Sequence, residues 1–166
     1  MKKFIRASML VVVVICAGVG ASGGRALAAS CPSGVVTNDC LPALLKDMGY
    51  ENRALSKGYL ITIKGDGWTY YIQLVLSNDA TKLGMNANLG TVANEQAVTA
   101  AQWMNVLAAN NDVDPSSFNY DRVKKKLYLH RALDNHDITS AFLRRQIDLF
   151  VQNIRSTDAI WSRVTR

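Results

Sequence analysis

The sequence predicts an α+β fold: a five-stranded, mainly antiparallel sheet with helices packed on one face, in the order α-β-β-β-α-β-β-α. Three stretches predict it. Trp68, Tyr70, Ile72, Leu74 and Leu76 alternate with Thr69, Tyr71, Gln73, Val75 and Ser77, the period of a strand with one buried face. Leu83, Met85, Ala87 and Leu89 repeat the pattern against Lys82, Asn86 and Asn88. Near the C-terminus, Ile138, Phe142, Leu149, Phe150, Ile154 and Trp161 give a long amphipathic helix an apolar face that a sheet would satisfy.

Taken in order, the chain opens with Lys2, Lys3 and Arg6, an apolar run over 9–19, and Ala26-Leu27-Ala28-Ala29. A positive start, an apolar middle and an A-x-A site spell a secretory signal peptide over residues 1–28. The apolar run falls short of the roughly 20 residues a spanning helix needs. The expected destination is therefore the periplasm or the exterior, with no transmembrane segment after cleavage. The signal holds four of the 19 basic residues and no acid, so the mature 138 residues carry 15 basic against 13 acidic groups. That near balance removes the basis for a nucleic-acid reading of the whole-chain charge of +6.

Cys16 lies in the signal, leaving Cys31 and Cys40 to pair in an exported protein. Closing so short a loop stabilises the fold by about 2.5–3 kcal/mol in the chain-entropy model. The rival is a lipoprotein acylated at Cys31 after Ala28-Ala29-Ser30. Arg25 separates the apolar run from that cysteine, leucine is missing at the third position before it, and Cys40 would lose its partner. The C-x-x-C spacing of a reactive dithiol is absent.

Residues 29–40, with Pro32, Gly34, Asn38 and Asp39, read as an exposed N-terminal loop ahead of a single domain over 41–166. A helix over 41–48 has Pro42 in its first turn and Gly49 to end it. Residues 50–57 read as a connector. Leu60, Ile61 and Ile63 make a strand closed by Gly65-Asp66-Gly67, a turn before the strand at Trp68. Ser77-Asn78-Asp79 turns the chain into the next strand. A helix over 95–109 is expected to face inward through Ala100, Trp103, Met104 and Leu107, with Asn110-Asn111-Asp112 ending it. A hairpin then pairs 118–120 with 127–133. The final helix starts at Thr139 as N-cap, with Ile138 and Leu143 at hydrophobic-staple spacing and a break or recapping at Ser156-Thr157-Asp158.

No residue pattern points to catalysis. His130 falls on a strand and His136 in a loop, without the spacing or cysteine company of a zinc site. Asp112-x-Asp114-x-Ser116 opens like a calcium loop but lacks its central glycine, and Val123 stands where the bidentate glutamate belongs. No G-x-S-x-G turn or phosphate loop is present. A hydrolase would need a rate governed by His130 or His136.

Leu44-Leu45-x-x-Met48-Gly49-Tyr50, the Gly65-Asp66-Gly67 turn, Trp103-Met104-Asn105 and Leu127-x-Leu129 followed by Ile138-Thr139-x-x-Phe142-Leu143-x-x-x-Ile147-x-x-Phe150 carry a resemblance over most of the mature chain. It resembles the YbjN-like family of bacterial sensory transduction regulators, whose fold is like that of type III secretion chaperones. The resemblance implies a protein-binding or regulatory module with no catalytic residues and no cofactor, of a kind that tends to dimerise. Export and near neutrality set this chain apart from the cytoplasmic, acidic chaperones. The expected partner is an envelope protein or peptide, met by the polar sheet face at Tyr71, Gln73, Asn86 and Asn88. The alternative is a small-ligand or anion sensor using the basic hairpin at Arg122, Lys124, Lys125 and Lys126.

Overall fold

The alternating stretches fold as the centre of one sheet. The computed structural model describes residue 31 and residues 33–65 and 67–165. The signal peptide, Cys16, the residues preceding Cys31 and Asp66 of the Gly65-Asp66-Gly67 turn lie outside the described residues. The chain runs α1 (Leu41–Asp47), β1 (Asn52–Ala54), β2 (Tyr59–Gly65), β3 (Trp68–Leu76), β4 (Lys82–Thr91), a 3₁₀ turn (Glu95–Ala97), α2 (Ala100–Ala108), α3 (Asn110–Val113), β5 (Ser116–Asp121), β6 (Lys126–Asp134), α4 (Ser140–Ser156) and α5 (Asp158–Thr165). The strands lie in the order β1-β2-β3-β4-β6-β5, each neighbouring pair antiparallel.

The sheet has six strands rather than five. The extra one, β1, comes from the expected connector and pairs Asn52 with Ile61 and Ala54 with Tyr59. Three residues are too few to display a period of two. Its turn into β2 depends on Gly58, which has φ +73° and packs so tightly that an added Cβ would stand 2.0 Å from the Leu74 carbonyl oxygen.

Ile61, Tyr70, Ile72, Leu74, Leu83, Met85, Ala87, Leu127, Leu129 and Leu133 form the covered face and are buried. Over them lie Leu143, Ile147, Phe150 and Ile154 of α4 and Trp161 and Val164 of α5. The α4 start is as read: the Thr139 hydroxyl accepts from the Phe142 amide at 3.1 Å, and Ile138 and Leu143 are both buried. The helix breaks at Thr157, whose hydroxyl donates back to the Asn153 carbonyl at 2.6 Å. Phe142 departs from the expected apolar face and is 41% exposed, because the buried ridge runs through Leu143, Gln146, Ile147, Phe150 and Ile154.

The expected helix over 95–109 is a 3₁₀ turn followed by α2, with α3 continuing beyond Ala109. Thr99 and Gln102 form a capping box that starts α2. The inward stripe is also different. Val106 and Ala109 are buried and Trp103 packs on Tyr120 at 5.0 Å, whereas Met104 and Leu107 are 63% and 59% exposed. Both faces of this helix are apolar, so contacts with β5 and α5 choose between them.

Cys31 and Cys40 are joined by a disulfide. The segment expected as an exposed loop is partly core: Cys31 and Val36 are buried, and only Ser33 and residues 37–39 are exposed among those described. Its backbone is held from the far end of the chain, by Ile138 donating to the Gly34 carbonyl at 3.0 Å and by Asn135 gripping Val36.

Candidate functional site

Among the described residues the helices pack on one face of the sheet and leave the other face open. The register sets one row of side chains across all six strands of that face: Arg53, Leu60, Gln73, Asn86, His130 and Ser117 stand opposite one another in turn. A second row carries Thr62 opposite Tyr71, and Asn88 opposite Tyr128 opposite Asn119. Period-two geometry explains why the groups of the central strands gather: Gln73, Asn86 and Tyr128 each lie between residues committed to the core, such as Leu127 and Leu129 around Tyr128.

The four residues expected to meet a partner, Tyr71, Gln73, Asn86 and Asn88, all lie on this face. Gln73 and Asn86 are cross-strand partners. Tyr71 is 57% exposed, and it borders one recess with Asn88. Gln73 is held by its amide, which donates to the Lys57 carbonyl at 2.7 Å. Asn88 turns its oxygen onto the Gly90 amide at 3.1 Å, where β4 bulges between Asn88 and Gly90. A shallow recess of about 440 Å³ occupies the centre, lined by Gln73, Asn86, Asn119, Asp121, Tyr128 and His130 among others. Tyr128, His130 and Asn119 were not among the expected contacts, although their alternation with Leu127, Leu129 and Phe118 places them here.

His130 is the titratable centre of the face. Its Nδ1 lies 2.7 Å from Asn86 Oδ1, and burial lowers its pKa below the ordinary 6.5. Between 6.5 and the lowered value, the unfolded chain binds a proton that the folded chain refuses, so this group makes stability fall as pH drops through 6.5. His130→Gln is expected to remove that component. Urea midpoints at neutral and mildly acid pH should therefore converge for the variant more than for the native chain, and equal losses in both would overturn the assignment.

The basic hairpin is less open than its sequence suggests. Lys124 pairs with Asp121 at 3.2 Å and Lys125 approaches Glu95 at 3.9 Å. Asp121 also accepts from the Val123 and Lys124 amides at 3.0 Å each, and these bonds lower its pKa. Half of the Arg122, Lys124, Lys125 and Lys126 cluster is thus matched by acids, and Val123 at the tip is 94% exposed. His136 pairs with its neighbour Asp137, in the open. Among the described residues no group of three or more histidine, cysteine or carboxylate side chains could hold a metal ion, and no helix is long and apolar enough to cross a membrane.

No protein-family model and no curated protein sequence matches this chain. Solved structures do. YbjN from E. coli aligns with a TM-score of 0.52 at 13% identity, over 75% of this chain and 95% of that one. A chain of the HopA1–SchA chaperone–effector complex aligns with a TM-score of 0.50 at 10% identity, over 70% and 88%. The one-sided helical layer on an antiparallel sheet is thus a YbjN-like, chaperone-like fold.

Proposed function

We propose that this chain is an exported, non-catalytic module that binds an envelope protein or peptide on the open face of its sheet and regulates it. The observation that carries the reading is this face itself: six strands wide, with tyrosine, amide and imidazole groups in register and, among the described residues, helices on the opposite side. Such a surface suits a polar, hydrogen-bonding partner. The chaperone–effector structure with a similar fold supports a role in protein binding.

The outer side of α2 is proposed to meet a second copy of the chain. It offers Ala101, Met104, Leu107 and Ala108, and α2 carries no charged residue, so an isologous contact there meets no like-charge repulsion. One bait tests both surfaces. Residues 30–166 should run as a dimer by light scattering, become monomeric with Met104→Asp, and capture a saturable protein from envelope extract. Asn86→Lys should abolish capture while leaving the dimer intact. Capture unaffected by Asn86→Lys would remove the sheet face from the proposal, and a native monomer would remove α2.

A further inference from the structure

The open face of the sheet carries more positive charge than it neutralises. Its strands present Arg53, Lys64, Lys82, Lys126, Asp121 and Asp134 on that side, and Lys124 of the β5–β6 turn lines the central recess beside them. Both carboxylates are taken. Lys82 pairs with Asp134, and Asp121 pairs with Lys124 at 3.2 Å while standing opposite Lys126 in the ladder. Arg53 and Lys64 are exposed and have no ion pair among the described residues. The excess cations therefore flank the recess, Arg53 and Lys64 across β2 and Lys126 at the β5–β6 turn.

Between them, the cross-strand pair Gln73 and Asn86 complements a peptide group. The Gln73 nitrogen turns to the Lys57 carbonyl, which leaves Oε1 as an acceptor, and Asn86 Oδ1 lies against His130, which leaves Nδ2 as a donor. One acceptor beside one donor matches the N–H and C=O of an extended backbone. From β1 to β5 the face spans about 24 Å, five strand spacings of about 4.8 Å, which is the reach of about seven extended residues. A carboxylate-bearing chain of that length meets cations at both ends and amides in the middle. A phosphate chain is served best by forked guanidinium groups, and Arg53 is the one arginine on the open side of these strands among the described residues.

We propose that the open face recognises acidic, extended peptides, through charge and backbone rather than through a particular sequence. The inference rests on the reading of this face as the partner surface and names the chemistry of the partner.

The probe is a fluorescein-labelled peptide of alternating glutamate and serine, titrated with residues 30–166 and followed by anisotropy. It should bind saturably with a Kd below about 1 mM, and at least about tenfold more tightly than its glutamine–serine counterpart. Raising salt from about 0.05 to 0.5 M should erase most of that preference, since the Debye length shrinks below about 5 Å. Arg53→Glu combined with Lys64→Glu, both at exposed positions, should weaken the glutamate peptide about tenfold. Lys46→Glu with Arg163→Glu makes the same change in net charge at exposed positions on α1 and α5, and should leave affinity within about twofold. Absence of saturation, equal affinity for the two peptides, equal weakening by the two double variants, or tighter binding of an oligothymidylate of the same length would overturn the proposal. Asn86→Lys fills the recess while adding charge of the face's own sign, so it tests the surface apart from its charge. Envelope capture that is lost in Asn86→Lys, with no preference for glutamate, removes the acidic partner and keeps the surface. Failure of both removes both.

Discussion

Phe150→Ala is expected to lower the free energy of unfolding by about 3–5 kcal/mol, the cost of emptying a large aromatic site in a core that relaxes only in part. Phe150 is fully buried on the inner ridge of α4, flanked along the helix by Leu143, Ile147 and Ile154. A domain of this size has only about 5–15 kcal/mol to lose, so the variant should unfold at markedly lower urea with an unchanged slope. Phe142→Ala is the matched control. It removes the same atoms from the same helix at a position 41% exposed, and should cost less than about 1.5 kcal/mol. Equal losses at the two positions would mean that α4 presents a different face to the sheet.

That pair also marks where sequence reasoning stopped. Phe142 and Phe150 are both apolar at helical spacing, and an apolar stripe of about 100° or more admits either edge. The sheet below selects the ridge through Leu143 and Ile147. The same ambiguity hid the orientation of α2, where Trp103, Met104 and Leu107 compete with Val106 and Ala109 and the contact with Tyr120 decides. Strands β3 and β4 were legible from Tyr70 to Leu74 and from Leu83 to Asn88, because a period of two leaves no intermediate choice, and the reading stopped at the bulge after Asn88 and at the exposed Trp68. Their alternation separated Gln73 and Asn86 from the core before any tertiary information.

Asn135→Ala is expected to cost about 2–4 kcal/mol, although the side chain is small and polar. Asn135 is 5% exposed, and its amide closes three hydrogen bonds of 2.8 Å: Oδ1 accepts from the Val36 amide, and Nδ2 donates to the Val36 and Ala80 carbonyls. It therefore ties the disulfide-linked N-terminal segment to the β3–β4 turn and to the end of β6. Truncation leaves backbone groups unpaired where water does not reach, and each such group costs about 1–3 kcal/mol. A hydrophobic-area argument would assign this residue almost nothing, so the size of the loss separates the two accounts. Asn135→Asp separates them further. It keeps the acceptor for Val36 but turns a carboxylate oxygen toward two carbonyls, a repulsion and burial that raise its folded pKa above the ordinary 3.9 or so of an aspartate. Its stability should accordingly recover as pH falls toward that raised value and the carboxyl becomes a donor again. Hydrogen exchange at the Val36 amide reads the same bond locally: it should accelerate strongly in the alanine variant and less in the aspartate one. Unchanged protection at Val36 together with a loss under about 0.5 kcal/mol would show that the N-terminal segment is held by the disulfide and Ile138 alone.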